Sequence, residues 1–203
     1  MPADDALLAR TRAELARVGR VLLIDLEFTC WEDSLRTDWR DPVRPAEVIE
    51  IGLALYRVGT RAVDATFSRL VRPRVNPRLS AYCVDLLHIP QAEIDAADEL
   101  PAVVSMLAAW LTTIGAKDVS TCGWGPNDRR RLATDAATRA VADPLAGLPH
   151  IDMKEVMTAL YRHPHPIDRD ELRRMQRLPL NPDRHRALAD ALDLMHFLPL
   201  LLS

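Results

Sequence analysis

Val21-Leu22-Leu23-Ile24-Asp25-Leu26-Glu27 decides how this chain is read. The apolar run suits a strand inside a sheet, and side chains along a strand alternate between its two faces. Asp25 and Glu27 therefore project side by side at the end of that strand. Two neighbouring carboxylates withdrawn from water repel one another unless a cation neutralises them. Hard oxygen donors in such a pair suit Mg²⁺ or Mn²⁺. The alternative is a strand that ends at the surface with both acids solvated, and Asp-x-Glu alone does not separate the two.

The rest of the chain sets bounds. At 203 residues, 48% apolar and 27% charged, it has the length and composition of one globular domain. The expected organisation is a single domain over 1–203, with a helix in 1–19 and a core over 20–200. No apolar stretch approaches the roughly 18 residues of a membrane span. Asp4 and Asp5 stand where a secretory signal carries basic residues. Cys30, Cys83 and Cys122 are odd in number and widely spaced, so they read as reduced thiols and the expected location is cytoplasmic. A net charge of −3 argues against nonspecific coating of nucleic acid. Basic clusters at Arg129-Arg130-Arg131, Arg173-Arg174 with Arg177, and Arg184 with Arg186 suit either a nucleic-acid surface or solvated helix faces.

Periodicity predicts an amphipathic helix over 4–19 and strands over 21–28, 48–57 and 63–71, the last two joined through Gly59-Thr60. Residues 31–45 read as a loop. Helices are expected over 79–87, 100–114 and 127–141, with short strands at 119–122 and 150–152, the latter leading into a helix through Leu160. After a proline-rich loop over 161–167 comes a short basic helix over 170–178. Asn181-Pro182 is a start signal for the last helix, whose buried face is expected at Leu188, Leu192 and Met195. The class is α/β, a mixed sheet flanked by helices.

Two more segments carry chemistry. In Cys122-Gly123-Trp124-Gly125-Pro126-Asn127-Asp128 a strand runs through a turn into a helix, so Asp128 can reach the carboxyl ends of neighbouring strands, where sites collect in open sheets. It also suits a plain helix start. In His185-Arg186-Ala187-Leu188-Ala189-Asp190, five residues separate an imidazole from a carboxylate. The acid can hold a metal while the histidine takes a proton from water. An ordinary polar helix start fits the fragment equally.

Together, Asp25, Glu27, Asp128 and Asp190 with His185 resemble the DEDDh signature of the DnaQ-like 3′–5′ exonucleases. Asp25-Leu26-Glu27-Phe28-Thr29-Cys30-Trp31-Glu32 and Glu47-Val48-Ile49-Glu50-Ile51-Gly52 are similar to the first block of the Eri-type (enhanced-RNAi exoribonuclease) branch, which includes bacterial members. Val71-Arg72-Pro73, the stretch from Leu79 to Ile89, and Trp124 to Asp128 resemble it too. The chain departs from the pattern at Ala189, where a second acid is common, at Asn127, where an aromatic is common, and at His88, where a glycine is frequent. Asn181-Pro182-Asp183 replaces a glycine-bearing approach to the histidine. No SAP-type module is expected ahead of the core, which weakens any analogy with histone-mRNA partners.

The resemblance implies a ribonuclease-H-like mixed five-stranded sheet and two-metal phosphodiester hydrolysis, with two divalent cations, Mg or Mn, about 4 Å apart. Asp25 would bridge both, Glu27 and Asp190 would complete the nucleophile-side metal, Asp128 would serve the leaving-group metal, and His185 would be the general base. Backbone groups at Phe28 and Thr29 are candidates for holding the terminal ribose. Tyr82 and His88 are candidates for stacking on terminal bases, with core packing for Tyr82 and a surface polar contact for His88 as alternatives. Trp39 with Arg36, Arg40 and Arg44 forms either a lip over the strand or a solvated loop. Glu50 either supports the site or faces solvent, and His163-Pro164-His165 reads as a loop before it reads as a metal site. The expected partners are single-stranded RNA or DNA 3′ ends, with no membrane. A DNA-directed repair or proofreading exonuclease and a noncatalytic nucleic-acid-binding adaptor are the competing functions.

Overall fold

A computed structural model describes residues 3–37, 39 and 41–202. Its sheet is built from β1 (Arg20–Phe28), β2 (Val48–Arg57), β3 (Ala62–Leu70), β4 (Ser120–Gly123) and β5 (His150–Asp152), in spatial order β3-β2-β1-β4-β5. β1, β2 and β3 form an antiparallel meander, while β4 and β5 run parallel to β1. This is the mixed five-stranded sheet expected from the sequence. β1 lies at its centre, which explains the unbroken apolar run.

The alternation along β1 sorts the core. Leu22, Ile24 and Leu26 face one apolar cluster together with Leu53, Leu55 and Phe67 of β2 and β3. That side is closed by α4 (Leu100–Thr113) and α5 (Asn127–Thr138). Val21 and Leu23 face a second cluster with Ala54 and Tyr56. This side is closed by α1 (Ala3–Val18), α6 (Met153–Leu160), α7 (Arg169–Met175) and α8 (Ala187–Asp193), followed by short 3₁₀ turns. Asp25 and Glu27 continue the Val21–Leu23 row. They sit at the carboxyl end of β1 on the face that α8 covers.

α8 lies against β2 because Gly52, paired with Asp25 across the ladder, has no side chain. A Cβ at Gly52 would stand 2.2 Å from the Leu188 amide nitrogen and 2.3 Å from the Ala187 carbonyl carbon. Two residues before it, buried Glu50 accepts hydrogen bonds from the Ala187 amide at 3.1 Å and from Arg186 at 3.0 Å. The carboxylate thus caps the first turn of α8 and complements its dipole. Of the two readings of Glu50, the solvent-facing one is excluded.

The last helix starts at Ala187, not at Asn181. His185 takes a left-handed backbone conformation, φ 63°, which interrupts any helix running in from Asn181. Its buried residues are Ala187, Asp190, Ala191 and Asp193, while Leu188, Leu192 and Met195 are half-buried. A short helix, α3 (Gln91–Ala96), follows the Pro90 interruption, where none was expected. α2 (Ala81–Leu87) is capped at its start by the Ser80 hydroxyl and closed by His88 at φ 54°. That conformation explains why a glycine is frequent there. His88→Gly is therefore expected to raise stability by about 0.5–1 kcal/mol, read as a melting temperature roughly 1–4 °C higher. An unchanged or lower value would show that His88 makes compensating contacts.

All three cysteines are buried and free, as their spacing implied. Among the described residues, no helix is long and apolar enough to cross a membrane.

Candidate active site

Three distant segments supply the site. Asp25 and Glu27 come from the end of β1, Asp128 from the first turn of α5 after β4, and His185 and Asp190 from the turn into α8 and its first helical turn. Ligand atoms of Glu27, His185 and Asp190 all lie within 4.8 Å of one another. The side chain of Asp25 is joined to that of Asp190 through one guanidinium, that of Arg169, at 3.1 Å and 3.4 Å respectively. Asp128 is buried at the start of α5 and lies close enough to the end of β1 to push the Asp25 carboxyl upward.

Asp190 is held from three sides. The His185 amide donates to its Oδ2 at 3.1 Å, the Asn181 side chain donates to its Oδ1 at 3.2 Å, and Arg169 pairs with that same Oδ1. Asn181 therefore clamps an acid of the cluster instead of capping a helix. His185 folds back over Asp190, which brings its ring to the edge of the carboxylates.

The electrostatics are those of an acid cluster short of positive charge. Burial, then the neighbouring Asp128, push the Asp25 carboxyl well above the ordinary carboxylate range, against the pull of Arg169. Glu27 rises well above its usual value for the same reasons, burial first and then Asp25. Asp128 is raised to about 7, again chiefly by burial, with Arg169 opposing. Burial lowers His185 below the ordinary imidazole value, so the ring is neutral and able to accept a proton near neutral pH. Oxygen donors crowded at such a cost, with an imidazole beside them, fit Mg²⁺ or Mn²⁺.

These shifts fix a pH dependence. An acid whose folded value is raised contributes its full stability below the ordinary carboxylate range, near 4, and loses it as pH rises through the folded value. In chelator, the cluster should therefore destabilise the fold between about pH 4 and pH 7 and above. Cation binding needs the deprotonated acids and reverses that loss. Saturating Mn²⁺ is expected to raise the melting temperature by roughly 5–10 °C at pH 8, the equivalent of about 2.7 kcal/mol at a hundredfold excess over Kd, and far less at pH 5. Equal Mn²⁺ effects at the two pH values would contradict the raised acids.

The candidate substrate contacts divide. Tyr82 is exposed, so core packing is excluded for it, and it lines a cavity of about 430 Å³ with Trp31, Asp33 and Arg44. His88 is exposed too. At Thr29 the side chain is buried, the amide donates to the Glu47 carbonyl at 2.9 Å, and the hydroxyl accepts from the Glu47 amide. The amide and hydroxyl thus join β1 to the start of β2, which leaves the Thr29 carbonyl as the candidate ribose contact there. The Phe28 carbonyl accepts from the Cys83 thiol at 3.7 Å, while its half-buried ring packs against Trp39 and under Arg131.

In the neighbouring loop, Arg44 pairs with Asp33 and Asp41 and stacks on Trp31, and Arg36 pairs with Asp33. Arg40 lies outside the described residues. The arginine clusters also split. Arg173 is buried against Asp193, Arg186 serves Glu50 and Arg129 pairs with Asp143, whereas Arg130, Arg174 and Arg177 lie nearer the surface. His163-Pro164-His165 is a loop, with His163 bonded to the His165 carbonyl and paired with Glu171.

Arg169 was not anticipated. It opens α7 behind the Asp168 cap and lies over the Trp124 ring, 5.6 Å from its centre. Its only sequence signal is a lone arginine in an acidic helix start, Asp168-Arg169-Asp170-Glu171.

A mixed sheet of this order, carrying acids at the ends of its central strands, defines a ribonuclease-H-like nuclease fold. The family model described as Exonuclease (RNase_T) matches residues 22–198, and the chain belongs to that family. It is an Eri-type DEDDh member. It is similar to 3'-5' exonuclease Snipper of Drosophila melanogaster, 36% identical over 91 residues that make up 45% of this chain and 31% of that protein. It is likewise similar to human 3'-5' exoribonuclease 1, at 33% over 91 residues, 45% of this chain and 24% of that protein. The chain thus spans less than a third of the length of these curated relatives. Among solved structures, the nuclease domain of 3'hExo, a DEDDh family member bound to rAMP, superposes with a TM-score of 0.81 at 22% identity, covering 91% of this chain and 92% of that one. E. coli exonuclease I in complex with a dT13 oligonucleotide gives 0.68 at 15% identity, with 91% and 41% coverage. At these identities the structural likeness establishes the fold.

Proposed function

We propose that this protein is a metal-dependent 3′–5′ exonuclease that releases nucleoside 5′-monophosphates from single-stranded nucleic-acid ends, RNA first. The observation that carries the proposal is that Glu27, His185 and Asp190 lie together, that Arg169 joins Asp190 to Asp25, and that Asp128, buried on the next segment, lies close enough to Asp25 to push its carboxyl upward. The relatives named as exoribonucleases support RNA as the substrate class. The free, buried cysteines support a cytoplasmic address.

Asp25, Glu27, Asp128 and Asp190 would hold two divalent cations, Mg or Mn, which when bound supply Lewis acidity toward the phosphate and the departing 3′-oxygen. His185 accepts the proton of the attacking water, and its lowered basicity keeps it in the neutral form that can do so. Asp190, gripped by Asn181 and the His185 amide, fixes the distance between that base and the carboxylates. Glu50 keeps α8, and with it Asp190, in place. Tyr82 and the Trp31–Arg44 pair line one cavity and offer aromatic and cationic surface for the strand.

The test is an end-labelled oligonucleotide assay with Mn²⁺, with and without chelator. A ladder shortening from the 3′ end of single-stranded RNA, abolished by chelator, is expected. Shortening of DNA alone would favour the repair or proofreading reading. Retention without cleavage would favour an adaptor.

A further inference from the structure

Among the described residues, Arg169 is the one basic side chain paired with two of the clustered acids. It pairs with Oδ1 of Asp25 at 3.1 Å and Oδ1 of Asp190 at 3.4 Å. Both partners are largely buried, and the guanidinium is only 18% exposed. It is seated on Trp124, itself packed on Phe197, so the arginine is held by a ring face as well as by charge. This placement has an electrostatic cost of its own. Arg169 is the first residue of α7, where exposed amides disfavour a cation. The carboxylates must therefore be what keeps it there.

We propose that Arg169 is a built-in counter-cation of the carboxylate cluster, and that a divalent cation enters only by displacing it. This rests on the reading of the four acids as a cation site. A guanidinium that draws on one oxygen of Asp25 and one of Asp190 occupies the side of both groups that a shared dication would use. Mg²⁺ takes its oxygens at about 2.0–2.1 Å in strict octahedral geometry, which leaves no room for an arginine fork between the same two acids. Positive charge in both places would also repel.

The competition has two consequences. Without metal, Arg169 keeps Asp25 and Asp190 from separating, so the site stays assembled. With metal, the fork is released beside a cavity of about 250 Å³ that Lys154, Arg184 and His185 also line. Arg169 thus sets how much free cation is needed to load the site. It is a determinant of metal affinity that the DEDDh residues themselves do not contain.

The measurement is Mn²⁺ binding without nucleic acid, followed by the electron paramagnetic resonance signal of the free ion. Arg169→Gln removes the charge and should bind Mn²⁺ about tenfold more tightly than the wild type. Arg169→Lys keeps a charge but cannot span both acids, and should bind about threefold more tightly. The lysine variant guards against a glutamine variant that fails to fold. In the wild type, Mg²⁺ should also change tryptophan emission as the guanidinium leaves Trp124, and Arg169→Gln should lose that change. Folded variants that bind Mn²⁺ no more tightly than the wild type would overturn the role of Arg169 while leaving the cation site standing. If neither wild type nor variants bind Mn²⁺, the cation-site reading fails and this inference falls with it.

Discussion

Asp25→Asn should reduce nuclease turnover by about three orders of magnitude or more while leaving the melting temperature in chelator unchanged or higher. Asn has the shape of Asp without its charge. The backbone of β1 and the packing of Ile24 and Leu26 on its opposite face are untouched. What disappears is a carboxylate that burial and Asp128 oppose more strongly than its pairing with Arg169 supports it, so the metal-free fold loses more repulsion than attraction. Activity behaves oppositely, because Asp25 would be one of the acids that hold the cations. Removing such a donor forfeits several kcal/mol of charge stabilisation in the transition state, and about 1.4 kcal/mol is worth a factor of ten. The stabilisation by Mn²⁺ should shrink in parallel. A purified, folded Asp25→Asn protein with wild-type turnover would remove Asp25 from the chemistry. A variant that simply unfolds would assign it a structural role instead.

This opposition between stability and activity explains which parts of the site were legible in the sequence. β1 was legible because a central strand buried on both faces leaves an apolar run, and a break in that run by two acids on one face has few structural causes. His185 and Asp190 were legible only in combination, since six residues at a helix entry resemble many others. The supporting residues were less so. Glu50 stands opposite Glu27 in the ladder, and nothing in its neighbours reveals that Arg186 and the Ala187 amide, more than a hundred residues away, will cover it. Asn181 carried a correct local preference for capping that tertiary structure put to another use on Asp190. Thr29 sat in a block that suggested a backbone contact to ribose, and nothing in that block revealed that its short side chain also closes the gap between β1 and β2. Arg169 reaches Asp25 across 144 positions, and a separation of that kind leaves no periodic trace. The chemistry was written locally in acids and a base, whereas the means of holding them together is distributed over long-range contacts.

Gly52 is the sharpest case of the second kind, and Gly52→Ala should damage both fold and function. The added methyl would meet the Leu188 nitrogen at 2.2 Å, the Ala187 carbonyl carbon at 2.3 Å and its oxygen at 2.6 Å. All three are backbone atoms, so no side chain can rotate away, and α8 must retreat from β2 by roughly an ångström to reach ordinary contact distance. Overpacking of this kind costs about 1–3 kcal/mol, which for a chain of this size lowers the melting temperature by roughly 2–12 °C. The same retreat stretches the 3.1 Å hydrogen bond from Ala187 to Glu50 and draws Asp190 away from Glu27 and Asp25. Displacing a reacting group by about 1 Å can cost a hundredfold in rate, so a loss of at least that size is expected in the protein that remains folded. Because the collision is with main chain, trimming Leu188 to Ala in the same protein should restore neither property. Recovery on trimming Leu188, or wild-type melting and turnover in Gly52→Ala itself, would mean that α8 can yield without moving Asp190, and that the closeness of helix to strand is not what sets the acids together.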